Sequence, residues 1–186
     1  MRIVGGRWRG AKLAELGEGD AAAHLRPTPD RVREALFNML VQGAHGDRVT
    51  GARVLDLFAG TGALALEALS RGAATAVLVD EGAKSRALAR ANMDKLRAGG
   101  AARLFRRDAT RLGANRDAPY DLIFLDPPYG AGLGERALAS AHEGGWIAPG
   151  ATVVWEEGGG IVPPGWTRVL GERRYGSTQV TILEVT

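Results

Sequence analysis

The sequence contains no cysteine and no long apolar run, and these two absences exclude several classes of protein. Without cysteine, the chain of 186 residues can form no disulfide scaffold, Cys-ligated zinc site, iron–sulfur cluster or thiol nucleophile. No stretch of about 18 uncharged apolar residues occurs, and the first residues lack the apolar segment of a secretory signal. We therefore expect a soluble, cytoplasmic protein with no membrane partner.

Net charge is also small, because 24 Lys and Arg face 21 Asp and Glu, which leaves +3. The charge is unevenly distributed. Residues 84–116 contain ten basic and two acidic residues, so this segment carries +8 and the rest of the chain −5. We interpret the segment as a solvated face. An apolar content of 45% is enough for one core at this length, and we predict a single domain spanning residues 1–186.

Short apolar runs alternate with helical patterns through the middle of the chain. Runs that are apolar throughout and end at Gly or Pro are typical of strands buried on both faces of a sheet. Their alternation with helices predicts a doubly wound, mostly parallel α/β sheet with right-handed crossovers. The predicted strands are residues 54–58, 75–79, 102–105 and 122–125, and the predicted helices are 63–69 and 83–96.

Further elements are predicted on both sides of this core. After residue 130 the pattern indicates a helix at 135–141, a strand at 152–156 and an antiparallel hairpin of 167–174 and 179–185. Before the sheet, Pro29 suits the first turn of a helix and Thr28 its N-cap. Apolar residues at helical spacing then predict an amphipathic helix whose buried stripe is Val32, Ala35, Leu36, Met39 and Leu40.

The first predicted strand continues through two glycines into a helix, with the sequence DLFAGTGAL at residues 56–64. Glycine allows close backbone approach or a positive φ, and the helix N-terminus supplies free N–H groups, so we expect a nucleotide-like ligand. Gly60, Gly62 and Ala65 also fit the dinucleotide fingerprint, with Asp80 placed to hold ribose hydroxyls. A nicotinamide-dependent oxidoreductase therefore remains an alternative.

Three acidic residues lie at the ends of successive predicted strands. Asp56, Asp80 and Asp108 fall at carboxyl ends, the edge at which open α/β sheets bind ligands. Asp56 disfavours a pyrophosphate beside the glycines and favours a ligand with an ammonium and a sulfonium, such as S-adenosylmethionine. The sequence thus predicts a ligand site at this edge.

The strand at 122–125 ends in the segment DPPY, residues 126–129. Two prolines remove N–H donors, so the loop presents carbonyl oxygens and the Asp126 carboxylate. Such a loop suits an exocyclic amine on an aromatic ring: hydrogen bonds to Asp126 and the Pro127 carbonyl would localise the nitrogen lone pair for attack on a methyl sulfonium. Tyr129 offers a face on which a flat, extruded base can stack.

These motifs resemble those of S-adenosylmethionine-dependent methyltransferases that modify exocyclic amines. More narrowly, the sequence resembles the RsmD family in five blocks: RIVGGRWRG at 2–10, RPTPDRVREALFNML at 26–40, DLFAGTG at 56–62, EALSRG at 67–72 and YGST at 175–178. The resemblance implies a seven-stranded, Rossmann-like methyltransferase sheet. It also implies methylation of N2 of one guanine, of the guanine-966 type, in bacterial 16S ribosomal RNA within a small-subunit assembly. The DPPY motif alone leaves an adenine-N6 methyltransferase on rRNA or DNA as an alternative.

The resemblance also implies roles for individual residues. The catalytic loop would be Asp126, Pro127 and Tyr129. Asp80 stands where many relatives have Glu, which shortens its reach to the ribose. The residues implied to bind the S-adenosylmethionine cofactor are Asp56, Phe58, Gly60, Gly62, Asp80, Asp108 and Ala109.

The first forty residues are implied to form an RNA-contacting arm and helix. Arg7, Arg9, Arg26 and Arg31 are its candidate RNA contacts, with Trp8 between two of the arginines. Because phosphate contacts would supply much of the affinity, we expect RNA binding to weaken steeply with salt. The histidines, His24, His45 and His142, show no metal-ligand spacing, and we expect no metal.

Overall fold

The structure is a computed structural model and describes residues 1–17 and 27–186. His24 and Arg26 therefore lie outside the described residues. Two short 3-10 helices, Gly6–Trp8 and Ala109–Arg111, accompany the main elements. Those elements are α1 (Asp30–Gln42), β1 (Arg53–Leu57), α2 (Ala63–Ser70), β2 (Thr75–Val79), α3 (Ala83–Lys95), β3 (Ala102–Phe105), β4 (Tyr120–Leu125), α4 (Leu133–Glu143), β5 (Ile147–Glu157), β6 (Thr167–Tyr175) and β7 (Thr178–Val185).

The strands of the described chain form a seven-stranded sheet in the order β3-β2-β1-β4-β5-β7-β6. Strands β1 to β5 are parallel, whereas β7 pairs antiparallel with both β5 and β6. The doubly wound, mostly parallel α/β sheet and its C-terminal antiparallel hairpin are confirmed. The topology reverses between β1 and β4, and the carboxyl ends of these two strands flank the position where such sheets bind ligands. No helix in the described ranges is long and apolar enough to cross a bilayer.

Alternate residues of the central strands face two separate cores. Val54, Phe124 and Val154 pack with the apolar faces of α1, α2 and α3. Leu55 and Ile123 point to the opposite face and pack with α4. Because both faces are covered, the central strands are apolar almost throughout, which is why short continuous apolar runs predicted them.

Helix α1 is rotated relative to the predicted stripe. Ala35 and Met39 are only partly buried, whereas Phe37 is fully buried and its ring lies 5.6 Å from that of Phe124. Arg33 is also fully buried, and its guanidinium donates to the Asp30 carboxylate at 2.6 Å. The aromatic contact with β4 and the buried Arg33 guanidinium, paired with the partly exposed Asp30, therefore set which side of α1 faces the sheet.

The prediction that Thr28 caps α1 is wrong. Pro29 occupies the N-cap position, and no side chain caps the helix. The Thr28 hydroxyl instead donates to the carboxylate of Glu156, at 3.1 and 3.2 Å from its two oxygens. Thr28 lies one residue before the N-cap, and its bond to Glu156 joins the start of α1 to the carboxyl end of β5.

The N-terminal segment lies against α2 and is held there by buried polar groups. Backbone N–H groups of Val4 and Gly5 donate to the fully buried Glu67 carboxylate at 2.9 and 2.8 Å. Arg71 pairs with the same carboxylate at 2.8 Å. Charge-assisted bonds of this kind hold residues 1–17 on the helical face that also carries α1.

Candidate functional site

A cavity of about 1180 Å³ opens at the carboxyl edge of the parallel strands. Its walls come from residues 27–32, the glycine loop, the DPPY loop and the tip of the β6–β7 hairpin. The volume slightly exceeds that of a pocket for one small molecule, about 300–1,000 Å³, so it has room for a cofactor and a second group. The predicted site residues that line it are Arg31, Asp56, Phe58, Gly60, Asp126, Pro127 and Tyr129.

The glycine loop turns sharply between β1 and α2. Phe58, Gly60 and Gly62 all have positive φ, at 62°, 56° and 79°. A Cβ on Gly62 would lie 2.7 Å from the buried side chain of Leu78, so this glycine serves both the turn and the packing of α2 on β2. The positive φ expected of the two glycines is thus present, and Phe58 adopts one as well.

Asp80 supports this loop from the end of β2. Its carboxylate accepts hydrogen bonds from the backbone N–H groups of Gly60 at 2.9 Å and Gly82 at 2.8 Å. Asp108 has a comparable local role, since it accepts from the N–H of Thr110 at 2.8 Å at the start of a 3-10 helix. The predicted cofactor residues that do not line the cavity are Gly62, Asp80, Asp108 and Ala109.

Asp56 lies on the cavity wall under the glycine loop, yet only 1% of its surface is exposed. The N–H of Ala65, in the first turn of α2, donates to it at 3.2 Å. Burial, and to a smaller extent the charges of Asp80 and Glu156, raise the pKa of Asp56 to about 8. A buried carboxylate in this state would be stabilised in its ionised form by a cationic ligand group.

The DPPY loop faces the glycine loop across the cavity. Asp126 follows the last residue of β4 and is partly accessible from the cavity, while Pro127 is buried behind it. The Tyr129 hydroxyl hydrogen-bonds with the Thr178 hydroxyl at 3.0 Å, and a Cβ on Gly158 would lie 2.8 Å from the Tyr129 ring. The loop is thus held against the C-terminal hairpin, with the tyrosine ring half-exposed.

Asp126 and Glu156 are two acidic residues that line the same cavity as Asp56. Burial together with the charges of Glu156, Asp56 and Glu157 raises the pKa of Asp126 well above its ordinary value. Burial raises the pKa of Glu156 to about 7, against the lowering effects of Thr28 and Arg33. Asp56 and Glu156 therefore bind protons near neutral pH in the empty cavity, and a ligand that brings hydrogen-bond donors or positive charge would favour their ionised, acceptor form.

Sequence reasoning missed Glu156 and the hairpin residues Arg174 and Thr178 as part of this cavity. The signal for Glu156 was present, because it is an acid at the carboxyl end of an apolar strand, as Asp56 is, while Asp126 directly follows one. The hairpin tip was noticed only as the block YGST at 175–178. Its place over the cavity depends on the β5–β7–β6 pairing, which no local pattern specifies.

The three candidate RNA contacts among the described residues, Arg7, Arg9 and Arg31, lie in different places relative to the two cavities. Arg31 lines the main cavity and also a smaller one of about 360 Å³, which Arg9 and Arg2 share with the acidic side chains of Asp30 and Glu34. Arg7 lines neither cavity and lies over the Trp8 ring, 4.2 Å from its centre. Arg9 and Arg31 are therefore the two that the structure brings together. 

No group of His, Cys, Asp or Glu suited to a metal ion occurs among residues 1–17 and 27–186. His142 stacks on Trp166 at 3.9 Å between ring centres, and His45 contacts the Leu170 carbonyl at 3.3 Å. These contacts give both histidines roles in packing and hydrogen bonding.

The sheet order, the glycine loop after β1 and the DPPY loop after β4 define a Rossmann-like methyltransferase class of α/β protein. Comparison with known proteins narrows this class. The family model described as Conserved hypothetical protein 95 matches residues 1–184. The chain belongs to this family, the RsmD family, as the resemblance of its motifs indicated.

Individual relatives agree with the family match. The chain is 39% identical over 184 residues to ribosomal RNA small subunit methyltransferase D of Escherichia coli K12, covering 94% of this chain and 87% of the relative. It is 34% identical over 183 residues to the protein of the same name from Haemophilus influenzae, covering 95% of this chain and 89% of the relative. The solved structure of yhhF from Escherichia coli superposes with a TM-score of 0.83 at 35% identity, covering 100% of this chain and 97% of that structure.

Proposed function

We propose that this protein transfers a methyl group from S-adenosylmethionine to the exocyclic N2 of one guanine, of the guanine-966 type, in 16S ribosomal RNA of the small subunit. The family and the names of its relatives support methyl transfer to small-subunit rRNA. The observation that carries the proposal is the position of Asp126, which lines the same cavity as the glycine loop and has a proline carbonyl beside it.

The glycine-loop side of the cavity fits the cofactor. Asp56 is a buried carboxylate whose raised pKa indicates an unmet need for positive charge, which an ammonium would supply. Phe58 and Gly60 line the adjacent wall, where backbone can approach a ligand closely. When bound, S-adenosylmethionine supplies an electrophilic methyl group. Asp80 would act chiefly by fixing the loop through Gly60, and we propose a ribose contact as its second role.

The DPPY side fits the acceptor nitrogen. The Asp126 carboxylate and the Pro127 carbonyl would accept the two N–H bonds of the amine and localise its lone pair. After transfer the nitrogen must lose one proton. Asp126 is placed to take it, and its raised pKa makes its carboxylate a better base than an ordinary aspartate. Tyr129, half-exposed and anchored to Thr178, would stack on the base.

The test of this proposal is the substitution Asp126→Ala. We expect turnover on 16S rRNA to fall by about two to three orders of magnitude, because the amine loses its charged acceptor. Affinity for S-adenosylhomocysteine, measured by calorimetric titration, should stay near wild type because Asp56 and the glycine loop are intact. Asp94→Ala, at an exposed position on α3, is the matched control and should leave both quantities unchanged.

The proposal fails if the Asp126→Ala protein retains wild-type turnover. The same titration with NADH addresses the oxidoreductase alternative, which requires micromolar binding of the dinucleotide. The names of the relatives, which are methyltransferases, and the DPPY loop favour methyl transfer over that alternative.

We also propose that residues 1–186 form a single domain in which residues 1–40 are an RNA-contacting arm and helix. The bonds from Val4 and Gly5 to the buried Glu67 support one cooperative unit. Arg9 and Arg31, which share a cavity, are the best supported RNA contacts, and Arg7 and Arg26 complete the set.

A further inference from the structure

We propose that Glu156 is a specificity-determining residue that accepts a hydrogen bond from N1–H of the target guanine and thereby selects guanine over adenine. The inference rests on the proposed function and deepens it. Asp126 and the Pro127 carbonyl by themselves fit the amino group of either base. A second acceptor beside them is what would distinguish the two.

The sheet register places Glu156 next to Asp126. Leu125 of β4 pairs in parallel with Trp155 of β5, so the two acids that follow them are also neighbours. Adjacent strands lie about 4.8 Å apart, and residues in register point to the same face of the sheet. Both acids line the cavity, and the effect of the Glu156 charge on the pKa of Asp126 agrees with their proximity.

The Glu156 carboxylate has unused hydrogen-bond acceptor positions. Among the described residues, the hydrogen bond to its carboxylate comes from Thr28, whose hydroxyl has one proton to donate and whose oxygen lies 3.1 and 3.2 Å from the two carboxylate oxygens. An ionised carboxylate offers about four acceptor positions. The side chain is 3% exposed and lies on the cavity wall, so a donor on an entering ligand could satisfy it in a nearly dry environment.

The Watson–Crick edge of guanine matches two neighbouring acceptors. It presents N2–H and N1–H side by side, two donors for Asp126 and Glu156 respectively. Adenine instead presents an acceptor, N1, next to its amino group, so the ionised Glu156 carboxylate that guanine N1–H would favour faces a lone pair, and pairing requires Glu156 to be protonated first. A site built to bond a donor rejects an analogue that lacks it far more strongly than a missing methylene would be rejected.

The competing explanation is that Glu156 only anchors the start of α1 through Thr28. The two explanations differ in their response to base analogues. 2-Aminopurine keeps the N2 amine of guanine but has an acceptor at N1. The experiment therefore measures kcat/KM for N2 methylation of 16S rRNA in which the target position holds either guanine or 2-aminopurine.

We expect the wild-type enzyme to prefer guanine over 2-aminopurine by about 100-fold or more. Glu156→Gln keeps the shape and adds a donor suited to the analogue, so this preference should shrink by about 10-fold or more. Thr28→Val, which removes only the anchoring bond, should retain the wild-type preference. Glu156→Asp has a charged but shorter side chain, so its preference for guanine should also shrink. It replaces Glu156→Gln in the experiment if the amide variant folds poorly.

The inference is overturned if the guanine preference is the same in wild type, Glu156→Gln and Glu156→Asp, whatever their absolute rates. It is also overturned if Thr28→Val changes the preference as much as Glu156→Gln does. Absence of N2-methylguanosine with the wild-type enzyme would instead refute the proposed function, so the two failures are distinguishable.

Discussion

The carboxyl groups of Asp56, Asp126 and Glu156 lie on one wall of the cavity, the first and last buried and that of Asp126 partly accessible. Their side chains share one face of the sheet, because Asp56 pairs in register with Phe124 and Phe124 with Val154, two positions before the other acids. Such crowding costs stability when the groups ionise. The wall is thus organised for ligand groups that bring protons or positive charge, as the proposed cofactor and base both do.

Burial of Asp56 and Glu156, with the nearby acids as a smaller cause for Asp56, predicts a pH-dependent stability of the ligand-free protein. Folding raises the pKa of Asp56 from 3.8 to about 8 and that of Glu156 from 4.5 to about 7, so the folded state binds more protons than the unfolded state between these values. The free energy of unfolding should therefore fall as pH rises from 5 to 8, by on the order of a few kcal/mol from the two groups. Urea denaturation at a series of pH values measures it.

Asp56→Asn is the informative variant for this prediction. The amide cannot ionise, so the variant should gain stability relative to wild type as pH rises, and its own pH dependence should be shallower. If the free energies of unfolding of variant and wild type differ by the same amount at every pH from 5 to 8, the raised pKa of Asp56 is contradicted.

The individual helices and strands show which features local patterns predict. Strands β2 and β3 have the predicted bounds, because each is a short apolar run between clear stop signals. Strand β5 begins at Ile147 rather than at residue 152. Pro149 and Gly150 interrupt its apolar pattern but do not end the strand, so the apolar run alone underestimates its length. The orientation of α1 could not be predicted, because it depends on contacts of Phe37 and Arg33 with distant parts of the chain.

The turn from β1 into α2 gives a prediction for one glycine. Gly62→Ala places a Cβ at φ +79° and 2.7 Å from Leu78, a side chain that is fully buried and has little space to move. Gly46→Ala is the matched control, because its φ is +77° and nothing lies within 4 Å of the added Cβ. We expect Gly62→Ala to lower the free energy of unfolding by about 1–3 kcal/mol more than the control.

Chemical denaturation of the two glycine variants measures this difference. Equal losses would mean that the turn conformation alone requires glycine at this position. A larger loss for Gly62→Ala, together with weaker S-adenosylhomocysteine binding, would show that packing of α2 on β2 shapes the cofactor side of the cavity.

In the whole molecule, the cavity is assembled from segments that are far apart in the chain. The glycine and DPPY loops were predictable, since each follows a buried strand and the carboxyl ends of parallel strands share one edge. The closure of the cavity was not, because it requires the start of α1 to bond Glu156 and the β6–β7 hairpin to bond Tyr129. Both contacts join residues more than forty positions apart, which local patterns do not specify.

We propose that this assembled cavity methylates guanine at N2, with Asp126 holding the amine. The most direct measurement is nucleoside mass spectrometry of unmodified 16S rRNA, naked or in small-subunit particles, after incubation with the purified protein and S-adenosylmethionine. We predict N2-methylguanosine at one position, and its loss with Asp126→Ala. N6-methyladenosine, or no methylated nucleoside from either substrate, would contradict the claim.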